Sequence, residues 1–297
     1  MIVARFACPG SWQHAHHHTR LPYLFMPPKP PALAEPTATS PAADEASPDR
    51  HFVTALARGL QVLSCFRSSD KALGNQELAK RCSLPKSTIS RLTYTLTQLG
   101  YLEHDVEAAR YRLGTATLAL GSTMLARMDI RQLARPLMQE LADASQTMVS
   151  LGTRDRLSMI YVENCRSDAA LTLSLDVGSR IPLATTAMGR AYLARCEERE
   201  RLEVMERVRE FDEYAWAQVE RGIDKARQEV QTLGVCTSFG DWQPDVNAIA
   251  MAFRTGGTQG KLMSLNCGGP ATHVSREHLL NVVRPKLLQM VEKLGGH

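Results

Sequence analysis

The segment SLPKSTISRLTYTLTQLG (residues 83–100) limits the possible folds more than any other stretch of the chain. Pro85 suits a first helical turn, where a missing N–H goes unnoticed, and Gly100 suits the stop. Between them Ile89, Leu92, Leu96 and Leu99 recur at helical spacing, predicting a helix with this stripe on a core. Two helices are expected before it. Leu56, Leu60, Leu63 and Phe66 predict the first, with Thr54 as its N-cap, and a break over residues 68–74 follows. NQELAKRC (75–82) predicts the second, capped by Gly74 or Asn75 and carrying Glu77 in its first turn. After Gly100, GYLEHDVEAARYRLG reads as two short strands around a polar turn. Helix, helix, helix and hairpin within about sixty residues is the layout of a winged helix-turn-helix.

The charge pattern agrees with that layout. The whole chain carries a formal +4, too little by itself to mark a polyanion binder. Residues 51–100, however, hold seven Lys and Arg against Asp70 and Glu77, a local excess of +5. In the run from Pro85 to Arg91, Lys86 sits at the positive end of the third helix and attracts phosphate without reading sequence. Ser87, Thr88, Ser90 and Arg91, with Tyr94 beyond, are the DNA-contacting candidates of that helix. With the apolar stripe turned inward, Ser87, Ser90, Arg91 and Tyr94 project from the other side, where hydroxyls and a guanidinium meet base edges or phosphates. Arg110 and Arg112 in the second wing strand, with His104 near the turn, are candidates for the flanking backbone. Arg58 has two open readings, a phosphate contact or a local ion pair. A polar helix face can be merely solvated, but third place in a trihelical unit, ahead of a hairpin, favours nucleic-acid binding.

A natural domain cut falls near Gly114. TATLALGSTMLARM (115–128) predicts a linker helix whose Leu118, Leu120, Met124 and Leu125 form either a dimer contact or part of one chain's core. A second helix over 130–145 has Pro136 near its expected start. Beyond it, TMVSLGTR, LSMIYVENC, LTLSLDVG, VNAIAMAFR and GKLMSLNCGG read as strands. TTAMGRAYLARC and EERERLEVMERV read as helices. Ser275 caps a last helix, where Pro285 predicts a kink or break. Strands bracketed by helices make residues 129–297 an α+β sensor-type domain.

Residues 1–50 stand apart. Nine of the fifteen prolines lie there, so an extended or disordered tail is expected, and its histidine run (His14, His16, His17, His18) is read as inert. Met26 offers a second candidate start, which would leave residues 1–25 untranslated. No apolar run approaches the roughly 18–20 residues of a membrane helix. The seven cysteines include no C-x-x-C pair, which suits a reducing, cytoplasmic setting and provides neither a zinc site nor a disulfide framework.

ALARGLQVLSCF, LGNQELAKRCSLPKSTISRLTYTL, GYLEHDVEAARYRLG and SRIPLATTAMGRAYLA together resemble the IclR family of bacterial transcriptional regulators, over about residues 51–297. The resemblance implies an N-terminal winged helix-turn-helix, a linker helix and a C-terminal effector-binding domain related to GAF/PAS sensors. It further implies a homodimer or dimer of dimers, a double-stranded DNA operator and a small-molecule effector; no cofactor, metal or membrane is expected. Ala55 replaces the serine usual at the start of the first helix, and Ala248 stands where the family often has a cysteine.

Chemistry and resemblance meet in three C-terminal segments. The small-residue helix start at Ala187, Met188 and Gly189 offers N–H groups to a carboxylate. SFGDWQPDVNAIA brings Asp241, Trp242 and Asn247 into one expected loop, and LNCGG ends a strand with Asn266, Cys267 and a glycine pair. The family match points to Leu171, Ala187, Met188, Ser238, Asp241, Asn247, Ala248, Asn266 and Gly268 as effector-site residues. Each also has an ordinary reading as a turn or strand-end residue. Cys236 and Cys267 are read as buried apolar residues. The expected function is therefore a regulator that responds to a small carboxylate. Two alternatives are a hydrolase or transferase fused to a basic module, and a winged-helix RNA or protein-interaction module without effector. The first lacks a G-x-S-x-G, HExxH, Walker or paired-carboxylate motif.

Overall fold

The computed structural model describes residues 51–67, 70–168, 175–256 and 260–295. The Pro-rich tail, its histidines and Leu171 lie outside the described residues.

The first unit has α1 (Thr54–Ser64), β1 (Leu73–Gly74), α2 (Asn75–Cys82), α3 (Lys86–Gln98), β2 (Leu102–Asp105) and β3 (Arg110–Leu113). Its core gathers Val62, Cys65, Leu73, Leu78, Cys82, Ile89, Leu96 and Leu102. Gly74 caps α2, and the Glu77 carboxylate accepts the Gly74 N–H at 2.9 Å. Gly100 takes φ +75°, a left-handed conformation that costs glycine little, and lets the Tyr101 N–H reach the Leu96 carbonyl at 2.9 Å. The hairpin is widened by β1, which pairs antiparallel with β3 to give the sheet order β1-β3-β2.

Three details of this unit correct the pattern reading. Thr54 is the first helical residue of α1, and Val53 is the N-cap, without a side-chain cap. The core face of α1 is Gly59 and Val62, with Leu63 and Phe66 half-buried, whereas Leu56 and Leu60 are 61% and 54% exposed. The stripe is thus rotated by roughly a quarter turn at 3.6 residues per turn. On α3, Thr93 replaces Leu99 in the core. Its hydroxyl is satisfied by donating to the Ile89 carbonyl at 3.0 Å, while Leu99 is 60% exposed.

The helix α4 (Thr115–Ala126) has no buried residue. Leu118, Leu120 and Met124 are exposed, so packing into their own chain's core does not explain them. Two residues later α5 (Asp129–Ser145) begins, which places Pro136 inside the helix and not near its start. Pro136 leaves the Gln132 carbonyl without its helical donor.

The second unit is a six-stranded, wholly antiparallel sheet in the order β6-β5-β4-β9-β8-β7. Its strands are β4 (Met148–Asp155), β5 (Ser158–Cys165), β6 (Arg180–Pro182), β7 (Cys236–Phe239), β8 (Val246–Arg254) and β9 (Leu262–Pro270). Side chains alternate between two cores. Met148, Met159, Tyr161, Ala248, Ala250 and Ala252 face α6 (Ala187–Arg195), α7 (Glu198–Phe211) and α8 (Glu213–Leu233). Three alanines on one face of β8 let α6 pack closely on the sheet. Val149, Leu151, Ile249, Phe253, Leu265 and Cys267 face α5 and the C-terminal helix. That helix runs through α9 (Arg276–His278), a π turn (Leu279–Val283) and α10 (Arg284–Lys293). Ser275 caps it by accepting the His278 N–H at 3.1 Å. In place of a break, the wider π turn precedes Pro285 and accommodates the missing N–H.

The longest of these helices, α8, has no counterpart in the pattern reading. Of the strand expected at LTLSLDVG, residues 171–174 lie outside the described residues and residues 177–178 form a turn; among the described residues the strand on the outer side of β5 is β6. The fold is α+β, a winged helix-turn-helix joined through a helix to an α/β sensor-type half. No described helix is long and apolar enough to cross a membrane.

Candidate functional sites in the two units

On α3 the apolar positions fix the orientation of the helix. Ile89, Thr93 and Leu96 are buried, and Ser87, Ser90, Arg91 and Tyr94 emerge together at i, i+3, i+4 and i+7. All four are exposed, Tyr94 to 67%. Lys86 opens the helix and is exposed too, while Thr88 is half-buried at the edge of this face. Ser90 is also tied down, donating to the Lys86 carbonyl at 3.0 Å and accepting from Asn75 Nδ2 at 3.4 Å. Thr95 and Gln98 extend the exposed face, and α3's burial rhythm would have revealed them.

The wing arginines are held differently. Arg110 donates to the Ala72 carbonyl at 2.9 Å and pairs with Glu77 at 3.4 Å, so it clamps β1 and α2 onto β3. Arg112 pairs with Asp105 at 2.9 Å, and His104 stacks on Tyr111 with ring centroids 4.6 Å apart. Arg58 is half-buried on α1.

In the second unit a cavity of about 20 Å³ lies between the sheet and the start of α6. It is lined by Met148, Tyr161, Ile181, Thr186, Ala187, Ser238, Trp242, Val246, Ala248, Asn266 and Gly268. Ala187, Ser238, Ala248, Asn266 and Gly268 are therefore brought together, from a helix start and three adjacent strands. Tyr161 is fully buried and hydrogen-bonded with Ser150; burial pushes its phenol well above the usual range, so it stays a neutral donor. The indole N–H of Trp242 is buried without a hydrogen-bond partner among the described residues.

Asn247, Met188 and Asp241 do not line this cavity, each for a physical reason. Asn247 precedes Ala248 on β8, so alternation sends its side chain to the opposite face, where Nδ2 donates to the Val274 carbonyl at 2.9 Å. It belongs to a strand and not to the Asp241 loop. Met188 is wholly buried in the core beneath α6. Asp241 does not line the cavity; its carboxylate pairs with the buried guanidinium of Arg190. The Gly189 N–H is already taken by Thr186 Oγ1 at 3.1 Å, which leaves Ala187 and Met188 as the helix-start N–H groups. Tyr161 and Thr186 are the chief residues the sequence reading missed. Strand alternation would have aimed Tyr161 at this face, and an N-cap threonine would have flagged Thr186. The Cys236 and Cys267 thiols are pushed up by burial, as suits inert core residues.

A winged helix with a bare, polar and cationic third-helix face, joined to an α+β half with a cavity, defines a class of two-part DNA-binding transcriptional regulators. The family described as bacterial transcriptional regulator IclR C-terminal matches residues 122–295, and the IclR helix-turn-helix domain matches residues 55–106. The chain belongs to the IclR family of transcriptional regulators. It is 34% identical over 245 residues to the HTH-type transcriptional regulator TsaQ1/TsaQ2 of Comamonas testosteroni, covering 82% of this chain and 87% of that one. The crystal structure of an IclR family transcriptional regulator from Brucella abortus superposes with a TM-score of 0.75 at 41% identity, covering 88% of this chain and 98% of that one. An IclR homolog from Microbacterium hydrocarbonoxydans, complexed with 4-hydroxybenzoate, shares the fold with a TM-score of 0.62 at 20% identity over 81% of this chain and 99% of that one. The family consists of transcriptional regulators, so the enzyme alternative falls away.

Proposed function

We propose that this DNA-binding regulator reads a double-stranded operator with Lys86, Ser87, Ser90 and Arg91 of α3, and that a small organic acid in the second unit controls it. The observation that carries the reading is the four-residue face Ser87, Ser90, Arg91 and Tyr94, exposed in register while Ile89, Thr93 and Leu96 anchor α3 in the core. Arg91 supplies a bidentate donor of the kind that reads guanine. Thr88 borders the contact, and Arg110 acts on it indirectly, by holding the wing. Arg58, half-buried on α1, is the remaining candidate for a phosphate contact.

The effector half of the proposal is supported by the cavity's chemistry. Asn266, Ser238 and the Trp242 N–H offer hydrogen bonds among apolar walls, beside the positive end of α6. The 4-hydroxybenzoate held by the Microbacterium protein supports a carboxylate as the ligand class. A homodimer paired through the exposed apolar side chains of α4 would place two recognition helices about 34 Å apart, or a multiple of that, on a pseudo-palindromic site. The acid would act by binding the two arrangements of the heads unequally. We place the division of labour at residues 51–114 for DNA, 115–128 for the linker and 129–297 for the effector, in the cytoplasm. The test is fluorescence anisotropy of promoter duplexes from the chain's own genomic neighbourhood, with and without a small-carboxylate library. Salt-sensitive duplex binding that an acid shifts supports the proposal; indifference to duplex DNA in dilute buffer refutes it.

A further inference from the structure

The cavity is too small for the ligand class it suits. About 20 Å³ accommodates a single water, whereas an engineered apolar cavity that takes up benzene measures about 150 Å³. Part of the wall must therefore move, and the loop of residues 240–245 is a wall piece held mainly at its two ends. Its ends are fixed by backbone hydrogen bonds, Gly240 N–H to the Val246 carbonyl at 3.0 Å and Ala271 N–H to the Asp245 carbonyl at 2.7 Å. Its apex carries Trp242 over the cavity. Among the described residues, the Gln243 carbonyl accepts from the Val246 N–H at the base of the loop at 3.0 Å, and the Arg190–Asp241 pair is the side-chain tie from residues 241–244 to the body of the unit.

Arg190 is built to grip. It is 5% exposed on α6, and its Nε donates to the Ala184 carbonyl at 3.3 Å. Its guanidinium fills a space that α8 reserves for it: a Cβ on Gly222 would collide with Nη2. A cation held this way, with Asp241 as its carboxylate partner, is costly to leave unpaired.

We infer that Arg190 is a positioning residue of the effector site: through Asp241 it holds Trp242 down as the cover of the cavity, and a ligand is admitted when that grip is released. The inference rests on the cavity being the effector site, as proposed above. Asp241 then acts through Arg190 and not by touching the ligand. The unpaired Trp242 N–H becomes the donor that an arriving acceptor group satisfies, which helps offset the cost of parting Arg190 from Asp241.

The test uses the full chain with Trp12→Phe and Trp216→Phe, so that Trp242 is the single tryptophan, and acrylamide quenching with no ligand added. Asp241→Asn and Arg190→Met should each raise the population of the displaced loop about tenfold, equivalent to about 1.4 kcal/mol. The reading is a larger quenching constant and a red-shifted emission with native circular dichroism. The double variant should add little to either single one. Unchanged quenching in a folded variant overturns the inference, and so does a lower melting temperature without any change at Trp242. Should Arg190→Met fail to fold, Asp241→Asn on the partly exposed loop decides alone. Because no ligand is present, a negative result removes the cover and leaves the effector reading standing. A freed Trp242 in a chain that binds no acid from the library supports the cover and removes the effector reading.

Discussion

Replacing Arg91 by alanine is the perturbation whose size follows most directly from the structure. Arg91 is exposed on α3, whereas Arg110 and Arg112 are committed to Glu77 and Asp105. Its removal therefore costs the fold little, within about 0.5 kcal/mol for a surface site. At a guanine each recognition helix loses about 1–3 kcal/mol, and a symmetric dimer uses two such helices, so about 2–6 kcal/mol of operator affinity goes. If Arg91 instead meets phosphate, the slope of log affinity against log salt falls by about 1 per head, or about 2 per dimer, with little loss of specificity. Anisotropy titrations of a labelled operator and a scrambled duplex across a potassium chloride series separate the two roles. An Arg91→Ala protein that keeps its fold, its operator affinity and its salt slope would refute the assignment of α3 as the reading helix.

Four other expectations use the same logic. Arg110→Ala should lower the melting temperature of the winged helix more than it lowers the salt slope, because it frees the Ala72 carbonyl and Glu77; the reverse ranking would make Arg110 a direct DNA contact. The hydrogen-bonded Arg81 guanidinium holds the Asp70 carboxyl below the usual carboxylate range, so the pair stabilises the fold fully above about pH 4 and loses that contribution as pH falls through the folded-state value. Asp70→Asn should accordingly cost about 1–3 kcal/mol near neutrality and progressively less in acid, read from denaturant melts; a pH-independent gap would contradict the ion pair. Glu163, 1% exposed between Arg131 and Arg135, makes the double arginine-to-alanine variant more damaging in thermal melts than Glu163→Gln, because the former strands a buried carboxylate. Equal losses would remove Glu163 as a buried charge. Charging α4 through Leu118→Glu and Met124→Glu should yield monomers in analytical ultracentrifugation, and persistence of a dimer would place that contact elsewhere.

The parts of this fold that were readable from pattern are those whose periodicity serves one purpose. α3 ends at a glycine and hides one stripe, so its outward residues could be named in advance. α1 misled because Leu56 and Leu60 make a good apolar stripe that the described residues do not bury, and periodicity cannot tell an interior face from an exposed apolar one. α8 escaped although Val219, Ile223 and Ala226 mark its inner face, because Gly222 and a charged surface dilute the signal. Asn247 and Ala248 cannot both face the cavity under strand alternation, and the strand turns Ala248 toward it. The Arg190–Asp241 pair joins residues 51 positions apart, a separation that no local pattern encodes.

The central claim is that an acid in the second unit alters what α3 does on DNA. Its most direct test is the operator affinity of the Asn266→Ala protein, titrated with and without an acid that shifts the unaltered chain. Asn266 lines the cavity and lies in a different unit from α3. Operator binding should therefore stay as tight in the absence of acid, and the acid-dependent shift should shrink or vanish. A variant that responds to the acid like the unaltered chain would contradict the account.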